Sequence, residues 1–385
     1  MKILFASSSS GSRGGGETFL VYLGEALARR GHEVLLWTSS HPRMDEIAAR
    51  FAPFGAVQRA AYTNTYDRPR RSLGALLDRT TPARAAGEWT VLAPDIVHIN
   101  KQNLEDGLDL LRATRRLACP SLCTIHITQD AKFLGAKGAG LRDWISLRGL
   151  RAYRGALVTV SGPRKGDLEG FLGQRREWGI STIPNGVPIP PALFDSDRER
   201  HRAELGLSPD DLAILAVGRM TPQKRPLLFL EIAAQIASRI PEAKFFWIGD
   251  GPLASDWDAR AAALGLASRA QRLGWREDVA TLLASGDLLL HTAEYEGMPF
   301  AILEAMAAGL PCAVSEGLHR EMPFLDATNS LTVSGEEWIE TLRDRPELSR
   351  RAQAARALIS AHYSTEVMAS AYEALYSELL RAVSL

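Results

Sequence analysis

Long hydrophobic runs are missing from this chain, and cysteine is scarce. No apolar segment approaches the roughly 18 residues that a membrane-spanning helix needs, and the apolar stretch at residues 2–6 is too short for a signal sequence. The three cysteines, Cys119, Cys123 and Cys312, are an odd number in apolar settings. They predict reduced core residues in the cytosol rather than a disulfide framework. No group of cysteines and histidines has the spacing of metal ligands.

The charges balance over the whole chain but not within its halves. Forty-five Lys and Arg residues match 45 Asp and Glu residues, so bulk charge gives no argument for nucleic acid as a partner. Residues 1–185 carry 26 basic and 17 acidic residues, whereas residues 186–385 carry 19 and 28. The basic first half either serves a charged partner or reflects ordinary drift in composition.

A chain of 385 residues, 46% hydrophobic and 23% charged, predicts a soluble protein of two domains. Both halves alternate apolar strands with helices, which is the pattern of parallel α/β sheets. In the first half we predict a helix over 17–30 and strands over 2–6, 33–37, 95–100, 121–126 and 157–161. Residues 39–90 show no clean periodicity. We predict domains at 1–187 and 188–363, with a proline- and charge-rich connector over 188–202, and an amphipathic terminal helix within 364–385.

Residues 294–311 combine a loop with a helix start. A buried strand over 287–292 precedes them, and Gly297 and Pro299 then break the chain. Strong helix formers follow from residue 300 to 308 before a glycine ends the helix. The first-turn N–H groups of such a helix lack backbone partners, and this end suits a phosphate.

Two carboxylates, Glu296 and Glu304, flank that predicted phosphate position. A carboxylate does not bind phosphate directly, so each would accept hydroxyl donors on either side of it. Sugar, diphosphate and ribose form a molecule with this layout. The alternative is a surface glutamate and a helix-forming glutamate without further role.

Arg219 and Lys224 follow another predicted strand, over 212–218, which comes earlier in the chain. They lie in a loop at the ligand edge of the second sheet. A diphosphate leaving group gains negative charge as its bond breaks, and fixed cations aimed at it stabilise that charge. Cations in surface loops are also common, so either residue alone is weak evidence.

Glycines and histidines mark the corresponding edge of the first sheet. The run from Gly14 to Gly16 separates a strand from a helix, where glycine either allows close backbone approach to a ligand or makes a tight turn. It is not the G-x-G-x-x-G dinucleotide pattern. His98 and His126 lie at strand ends, which places both at the ligand edge unless they are hydrogen-bonded core residues.

Residues 131–154 form a basic stretch in which Asp143 is the only acid. Its basic residues are Lys132, Lys137, Arg142, Arg148, Arg151 and Arg154. Trp144, Leu147, Leu150 and Tyr153 recur at helical spacing. The pattern is typical of a helix on an anionic surface, or of a packed helix with a solvated face.

These motifs together resemble the retaining nucleotide-sugar glycosyltransferases with two Rossmann-like domains, the GT-B fold, and family 4 in particular. The spacing of Glu296 and Glu304 matches the family's E-x7-E signature. Gly218, Arg219 and Lys224 match its Gly-Arg-x-x-x-x-Lys motif, and residues 14–17 resemble its Gly-Gly-x-Glu loop. The resemblance covers nearly the whole chain and is strongest over 212–315.

The resemblance implies a fold and a set of roles. The two domains would face a cleft, with the acceptor on the first, the nucleotide sugar on the second, and the terminal helix crossing back to the first. Donor contacts would come from Gly16, Gly218, Arg219, Lys224, Gly249, Asp250, Gly251, Gly297, Met298, Pro299, Phe300, Ala301 and Glu304. Acceptor contacts would come from Gly15, Gly16 and His126, and catalytic roles would fall to His126, Arg219, Lys224 and Glu296.

The implied reaction is a same-face substitution in which the donor phosphate takes the acceptor proton, through an oxocarbenium-like transition state. No metal or other cofactor is expected, because arginine and lysine carry the counter-charge. UDP-linked donors are favoured over GDP-mannose. The acceptor would be a saccharide or lipid-linked saccharide in bacterial cell-surface glycan synthesis, such as lipopolysaccharide, capsule or exopolysaccharide. The protein is expected in the cytoplasm, with residues 131–154 available for peripheral contact with the inner face of the membrane.

One motif departs from the family, and two other functions stay open. Residues 317–321 match only part of a Gly-x-x-Glu motif, so no donor contact is assigned to them. A nucleotide-sugar epimerase or a phosphorylase on the same fold is one alternative, although the lysine that carries pyridoxal phosphate in phosphorylases is not recognisable. The other is a non-catalytic sugar-nucleotide binder, against which the retained Arg219, Lys224 and paired glutamates argue.

Overall fold

A computed structural model describes residues 1–11, 14–173, 179–191 and 195–384. The chain divides into two compact units, one formed by Met1–Gly186 with Thr365–Leu385 and the other by Val187–Ser364. Each unit contains one parallel sheet with helices, so the prediction of an α/β fold with two Rossmann-like sheets is confirmed. The cysteines are free thiols, and Cys123 and Cys312 are buried.

The first unit is built on seven parallel strands within the described residues. They are β1 (Lys2–Ser7), β2 (Glu33–Ser39), β3 (Ala56–Ala60), β4 (Ile96–Lys101), β5 (Ser121–Ile125), β6 (Ala156–Thr159) and β7 (Ile180–Thr182). Their order in the sheet is β3-β2-β1-β4-β5-β6-β7. The order reverses between β1 and β4, and a crevice opens at the carboxyl ends of the strands at such a switch point.

In the described part of residues 1–186, seven α-helices accompany this sheet. They are α1 (Gly15–Arg29), α2 (Asp45–Phe51), α3 (Arg71–Leu77), α4 (Thr80–Leu92), α5 (Leu108–Ala113), α6 (Ala139–Arg151) and α7 (Gly162–Leu172). The predicted loop up to Gly16 is wrong, because Gly15 and Gly16 already form the first turn of α1. The N–H groups of Glu17 and Thr18 both donate to the Gly14 carbonyl, at 3.1 and 3.2 Å.

Within the described residues the second unit has six parallel strands, and their order reverses once, as it does in the first unit. They are β8 (Leu212–Val217), β9 (Ala243–Ile248), β10 (Ala270–Gly274), β11 (Leu288–His291), β12 (Cys312–Ser315) and β13 (Ser330–Val333). Their order is β10-β9-β8-β11-β12-β13, so the switch point lies between β8 and β11. The helices are α8 (Asp195–Glu204), α9 (Pro226–Arg239), α10 (Ala254–Ala263), α11 (Val279–Ser285), α12 (Phe300–Ala308), α13 (Glu316–Glu321), α14 (Glu337–Thr341) and α15 (Arg345–His362).

Helix α8 corrects the prediction of a connector over 188–202. Its sequence is almost wholly polar and gives no apolar stripe, so tertiary contacts rather than a buried face fix it. Arg198 and Arg202 each pair with Asp287, at 2.8 and 2.9 Å, beside the start of β11. Asp287 is the nearly buried acid that holds the helix in place.

The terminal helix α16 (Thr365–Ser384) belongs to the first unit and contacts α1. Tyr376 Oη lies 2.7 Å from His98 Nδ1, and His98 Nε2 lies 2.8 Å from Thr124 Oγ1. His98 therefore lies inside β4 rather than at its end, as a hydrogen-bonded core residue. Burial lowers its pKa to about 3, so the ring is neutral at pH 7. Among the helices that the structure describes, none is both long enough and apolar enough to cross a bilayer.

Candidate functional site

Two loops meet at the switch point of the second sheet. One follows β8 over residues 218–225 and the other follows β11 over residues 292–299. The Gln223 carbonyl accepts from Glu294 N at 2.8 Å, and Gln223 Nε2 donates to the Tyr295 carbonyl at 3.0 Å. Thr292 Oγ1 donates to the Lys224 carbonyl at 2.9 Å. These bonds fix segments 72 residues apart in sequence as one platform.

Lys224, His291 and Glu296 form a buried polar cluster on this platform. Lys224 Nζ forms an ion pair with Glu296 Oε1, and His291 Nε2 lies 3.1 Å from the same oxygen. Burial raises the pKa of Glu296, but the Lys224 charge and the His291 hydrogen bond outweigh it and lower the pKa to about 2. The carboxylate is therefore ionised at neutral pH. Within the residues that the structure describes, its Oε2 accepts no hydrogen bond, which leaves this oxygen for a ligand hydroxyl.

His291 is a member of the cluster that sequence reasoning missed. It is the last residue of β11, at the same kind of strand end that drew attention to His126. Burial lowers the pKa of His291, and the Glu296 carboxylate opposes part of that shift. A neutral ring that donates from Nε2 to Oε1 orients the carboxylate beside Lys224.

Arg219 lies on the same loop as Lys224 but is exposed. In the described part of the chain its guanidinium forms no ion pair, and its charge acts on the Tyr295 phenol. Burial raises the pKa of Tyr295 and the Arg219 charge opposes part of that rise. Arg219 thus presents a positive charge at the mouth of the Lys224–Glu296 cluster.

Close backbone contact explains the glycines at the neighbouring strand ends. A Cβ on Gly249 would lie 2.2 Å from the Gly218 carbonyl oxygen, and one on Gly251 would lie 2.7 Å from Met220 N. Met220 N donates to the Asp250 carbonyl at 2.9 Å. These glycines allow the loops after β8 and β9 to touch, and Asp250 is exposed beside them.

The start of α12 completes this side of the site. Pro299 is the N-cap, and no side chain caps the first turn. Met298 and Phe300 are buried, as are Gly297 and Pro299, whereas Ala301 and Glu304 are half-buried. The helix ends at Gly309 with φ +79°. The first turn of α12 places the positive end of the helix dipole at the platform.

A second, uncharged group lies at the switch point of the first sheet. His126 follows β5, and its Nε2–H donates to Asn100 Oδ1 at 2.8 Å. Asn100 Nδ2 in turn donates to the Gly16 carbonyl at 2.8 Å, which connects the first turn of α1 to the histidine. Burial lowers the pKa of His126 to about 4. The ring is therefore neutral at pH 7, and Nδ1 carries a lone pair.

A buried polar network that sequence reasoning missed supports the first unit's site. Asp106, fully buried, accepts hydrogen bonds from Ser8 Oγ and from Gln102 N, the latter at 3.1 Å. Lys101 Nζ lies 3.9 Å from Asp106 Oδ1 and is also fully buried. Burial raises the pKa of Asp106 and the Lys101 charge opposes it. Lys101 and Asp106, with Ser8, connect the ends of β1 and β4 and stabilise the sheet at the switch point.

Gly15, Gly16 and His126 thus lie in the first unit, and the other predicted site residues lie in the second. Among the described residues, no three His, Cys, Asp or Glu side chains are grouped so that they could hold a metal ion. Two Asp-x-Asp sequences occur in the chain, at 195–197 in helix α8 and at 256–258 in helix α10. There Asp197 pairs with Arg200 at 3.0 Å and Asp258 with Arg272 at 2.5 Å.

Two family models match the chain, one in each half. A model described as Glycosyltransferase Family 4 matches residues 13–189, and one described as Glycosyl transferases group 1 matches residues 211–344. The matched ranges contain the Lys224–Glu296 cluster and the His126–Asn100 pair, whereas β1 precedes the first range.

Individual proteins match in sequence and in fold. The chain is 40% identical over 142 residues to an Escherichia coli UDP-Gal:alpha-D-GlcNAc-diphosphoundecaprenol alpha-1,3-galactosyltransferase, over 35% of this chain and 36% of that protein. It is 27% identical over 195 residues to the Bacillus anthracis N-acetyl-alpha-D-glucosaminyl L-malate synthase, over 49% and 51%. The chain therefore spans about a third to a half of the length of these curated relatives. The crystal structure of Anabaena Alr3699/HepE with UDP-glucose superposes with a TM-score of 0.78 at 18% identity, over 99% of this chain and 100% of that one.

Proposed function

We propose, from the premise that this chain belongs to the GT-B glycosyltransferases of group 1 and family 4, that it transfers a sugar from a nucleotide sugar to an acceptor hydroxyl with retention of configuration. The observation that carries the proposal is the ion pair of Lys224 with Glu296 beside the uncapped start of α12. A fixed cation, an ionised carboxylate with one available oxygen and the positive end of a helix dipole match a sugar joined to a diphosphate.

The second unit would bind the donor. Lys224, Arg219 and the amides of Phe300 and Ala301 would contact the diphosphate, where helix dipole and side-chain charges have the same sign. Glu296 would accept hydroxyls of the sugar through Oε2. The remaining donor residues proposed are Gly218, Gly249, Asp250, Gly251, Gly297, Met298 and Pro299, with Glu304 on the ribose hydroxyls.

The cations would act mainly on the leaving group. As the bond from the anomeric carbon to the phosphate oxygen breaks, negative charge builds on the diphosphate. Lys224 is held by Glu296 before the reaction starts, so it stabilises this charge without reorganising. The new bond forms from the acceptor oxygen on the same face, and the acceptor proton passes to the departing phosphate oxygen.

The first unit would bind the acceptor. Gly15 and Gly16, in the first turn of α1, would allow the acceptor to approach the backbone closely because they lack side chains. His126 is neutral and hydrogen-bonded through Nε2, so its Nδ1 would accept a hydroxyl hydrogen bond rather than supply a positive charge.

The relatives support the substrate class. The Escherichia coli relative is named for UDP-galactose and a diphosphoundecaprenol-linked saccharide, and the Anabaena structure contains UDP-glucose. We therefore favour a UDP-sugar donor over GDP-mannose, and a lipid-linked saccharide acceptor in bacterial surface glycan synthesis. The proposal requires no metal, because Arg219 and Lys224 supply the counter-charge.

A donor panel followed by a transfer assay tests this function. UDP- and GDP-sugars are first compared by thermal shift, since a ligand that binds only the folded state raises the melting temperature. Nucleotide release is then measured with and without a lipid-diphosphate saccharide, and the anomeric configuration of the product by NMR. Acceptor-dependent release with retention supports the transferase. Epimerised donor without release would identify the epimerase, and binding without either reaction would identify the non-catalytic binder.

Lys224→Met sharpens the test. We expect turnover to fall by about 10²-fold or more if the cation acts on developing charge. Lys244→Met, in β9 of the same unit and outside the site, is the matched control and should transfer at the native rate. Native turnover in Lys224→Met would contradict the role given to this lysine.

A further inference from the structure

A cavity of about 550 Å³ lies among α3, α5 and α6 of the first unit, apart from the candidate site. Four arginines line it, and no acidic side chain does. The arginines are Arg112, Arg115, Arg148 and Arg151. Such a concentration of positive charge in one concave surface selects anions, and guanidinium forks suit phosphate oxygens in particular.

Helix ends position three of these arginines. Arg112 donates to the carbonyl of Leu76 at 2.8 Å, at the end of α3. Arg115 donates to the Ala152 carbonyl at 2.8 Å, just past α6, and Arg151 to the Leu172 carbonyl of α7 at 2.6 and 2.9 Å. Carbonyls orient a guanidinium without cancelling its charge. In the described part of the chain, none of the four arginines forms an ion pair.

Asp78 and Asp109, the acids that act on Arg112, share one counter-charge elsewhere, so they offset only part of the positive charge of the four arginines. Asp78 and Asp109 influence the pKa of Arg112, which burial lowers and these two carboxylates raise. Both acids are ion-paired with Arg68, at 3.1 Å for Asp78. The cavity therefore keeps a net positive charge.

The rim of the cavity is apolar and exposed. Trp144 lines the cavity with 52% of its surface exposed, and the Arg148 guanidinium lies 5.8 Å from its ring centroid. Leu141, one turn earlier on α6 and outside the cavity lining, is 56% exposed. Exposed tryptophan beside cations is typical of side chains that enter the boundary between lipid headgroups and acyl chains.

The opposite face of α6 packs in the ordinary way. Leu150 and Tyr153 are buried, and Arg142 pairs with Glu105. The sequence predicted either a helix on an anionic surface or a packed helix with a solvated face. One face of α6 is packed, whereas Trp144 and Arg148 are exposed on the other face. The solvent face is the one continuous with the cavity.

We propose that this cavity holds the phosphate group of an anionic lipid at a bilayer surface, with Trp144 and Leu141 at the level of the headgroups. Charge complementarity selects the phosphate, and the exposed apolar rim selects a lipid over a soluble phosphate ester. The proposal does not depend on the transfer reaction, because the cavity shares no residue with the candidate site.

Vesicle co-sedimentation of the full chain at about 0.1 M salt tests the site. Binding should be measured to phosphatidylcholine vesicles with and without phosphatidylglycerol, and should require the anionic lipid. Arg148→Gln should weaken partitioning about fivefold, as expected for one cation near an anionic bilayer. Trp144→Ala should also weaken it, and Arg148→Lys, which keeps the charge, should bind more tightly than Arg148→Gln.

Arg116→Gln is the matched control, because Arg116 is exposed, adjacent in sequence and outside the cavity. It should change partitioning less than twofold. An equal loss in Arg116→Gln and Arg148→Gln would overturn the proposal, since it would reveal diffuse attraction with no site. A thermal shift with inorganic phosphate or glycerol 3-phosphate, together with no binding to anionic vesicles, would overturn the assignment to lipid.

Discussion

Replacing Glu296 with glutamine removes one negative charge from the second unit while keeping the size of the side chain. In the native chain burial raises the pKa of this carboxyl, but Lys224 and His291 bring it from 4.5 down to about 2. That difference corresponds to about 3 kcal/mol in favour of the ionised form. Because glutamine is neutral, Glu296→Gln should lower the free energy of unfolding at pH 7 by about 3 kcal/mol.

The pH dependence of this contribution has a definite sign. A carboxyl whose pKa is lower in the folded state stabilises fully above its unfolded pKa of about 4.5. The stabilisation is then lost as the pH falls toward 2. Native chain and Glu296→Gln should therefore differ by a constant amount from pH 7 to 5 and converge in acid. Urea denaturation at several pH values measures both the size and the window.

UDP provides the second half of the experiment. In Glu296→Gln the Lys224 ammonium has lost its counter-charge, and the diphosphate of UDP would restore one. Saturating UDP should therefore raise the melting temperature of Glu296→Gln by more than it raises that of the native chain. The control is Glu294→Gln, which removes an exposed partner of Arg225 and should cost less than about 1 kcal/mol.

Two results would refute this reasoning. Native stability in Glu296→Gln would mean that the carboxylate does not hold Lys224. A smaller response to UDP in Glu296→Gln than in the native chain would mean that the lysine and the diphosphate do not share a site. Either outcome would remove the observation on which the proposed function depends.

Two further substitutions test the glycine contact and the buried histidine. Gly249→Ala would place a Cβ 2.2 Å from the Gly218 carbonyl oxygen at φ +128°. This variant should therefore lose about 2 kcal/mol of stability and bind UDP at least tenfold more weakly in a titration. Gly265→Ala, with open space around its Cβ, is the control and should keep native affinity for UDP. Burial lowers the pKa of His98 to about 3. Below pH 6.5 the unfolded chain therefore binds a proton that the folded chain does not, and the free energy of unfolding falls by about 1.4 kcal/mol per pH unit. In urea denaturation at pH 7, 6 and 5, His98→Gln should reduce that acid slope by one proton, and an unchanged slope would contradict the burial of His98 as a neutral ring.

Local signals were sufficient to predict the strand, loop and helix over 287–311. The apolar run became β11, helix formers became α12, and Gly309 ends α12 with positive φ. Each of these features depends on residues within a few positions of one another, where propensity and backbone freedom decide the outcome.

Contacts across the sheet were beyond such signals. Sequence spacing suggested separate roles for Lys224 and Glu296 but not their ion pair, because 72 residues separate them. The pair forms because β8 and β11 are neighbours at the switch point, a fact of topology. His291 could have been found by the rule that was applied to His126, since both lie at the end of an apolar strand.

The strand β3 and the helix α8, which sequence reasoning missed, have a related cause. Residues 39–90 looked irregular because β3 is an edge strand with half-exposed residues, so no apolar run marks it. Helix α8 lacks an apolar stripe, and ion pairs to Asp287 fix it instead. In both places long-range partners decide a structure that local patterns leave open.

The two switch points differ in charge, and the difference bears on where the acceptor proton goes. The second unit holds a fixed ammonium and an ionised carboxylate, whereas His126 in the first unit is neutral with a pKa of about 4. A histidine with so low a pKa is a weak base at pH 7, so it can orient a hydroxyl but has little tendency to take its proton. A departing phosphate with growing negative charge is then the stronger base in the reaction. In the proposed transfer, the low basicity of His126 would therefore leave the departing phosphate oxygen to take the acceptor proton, as a same-face substitution requires.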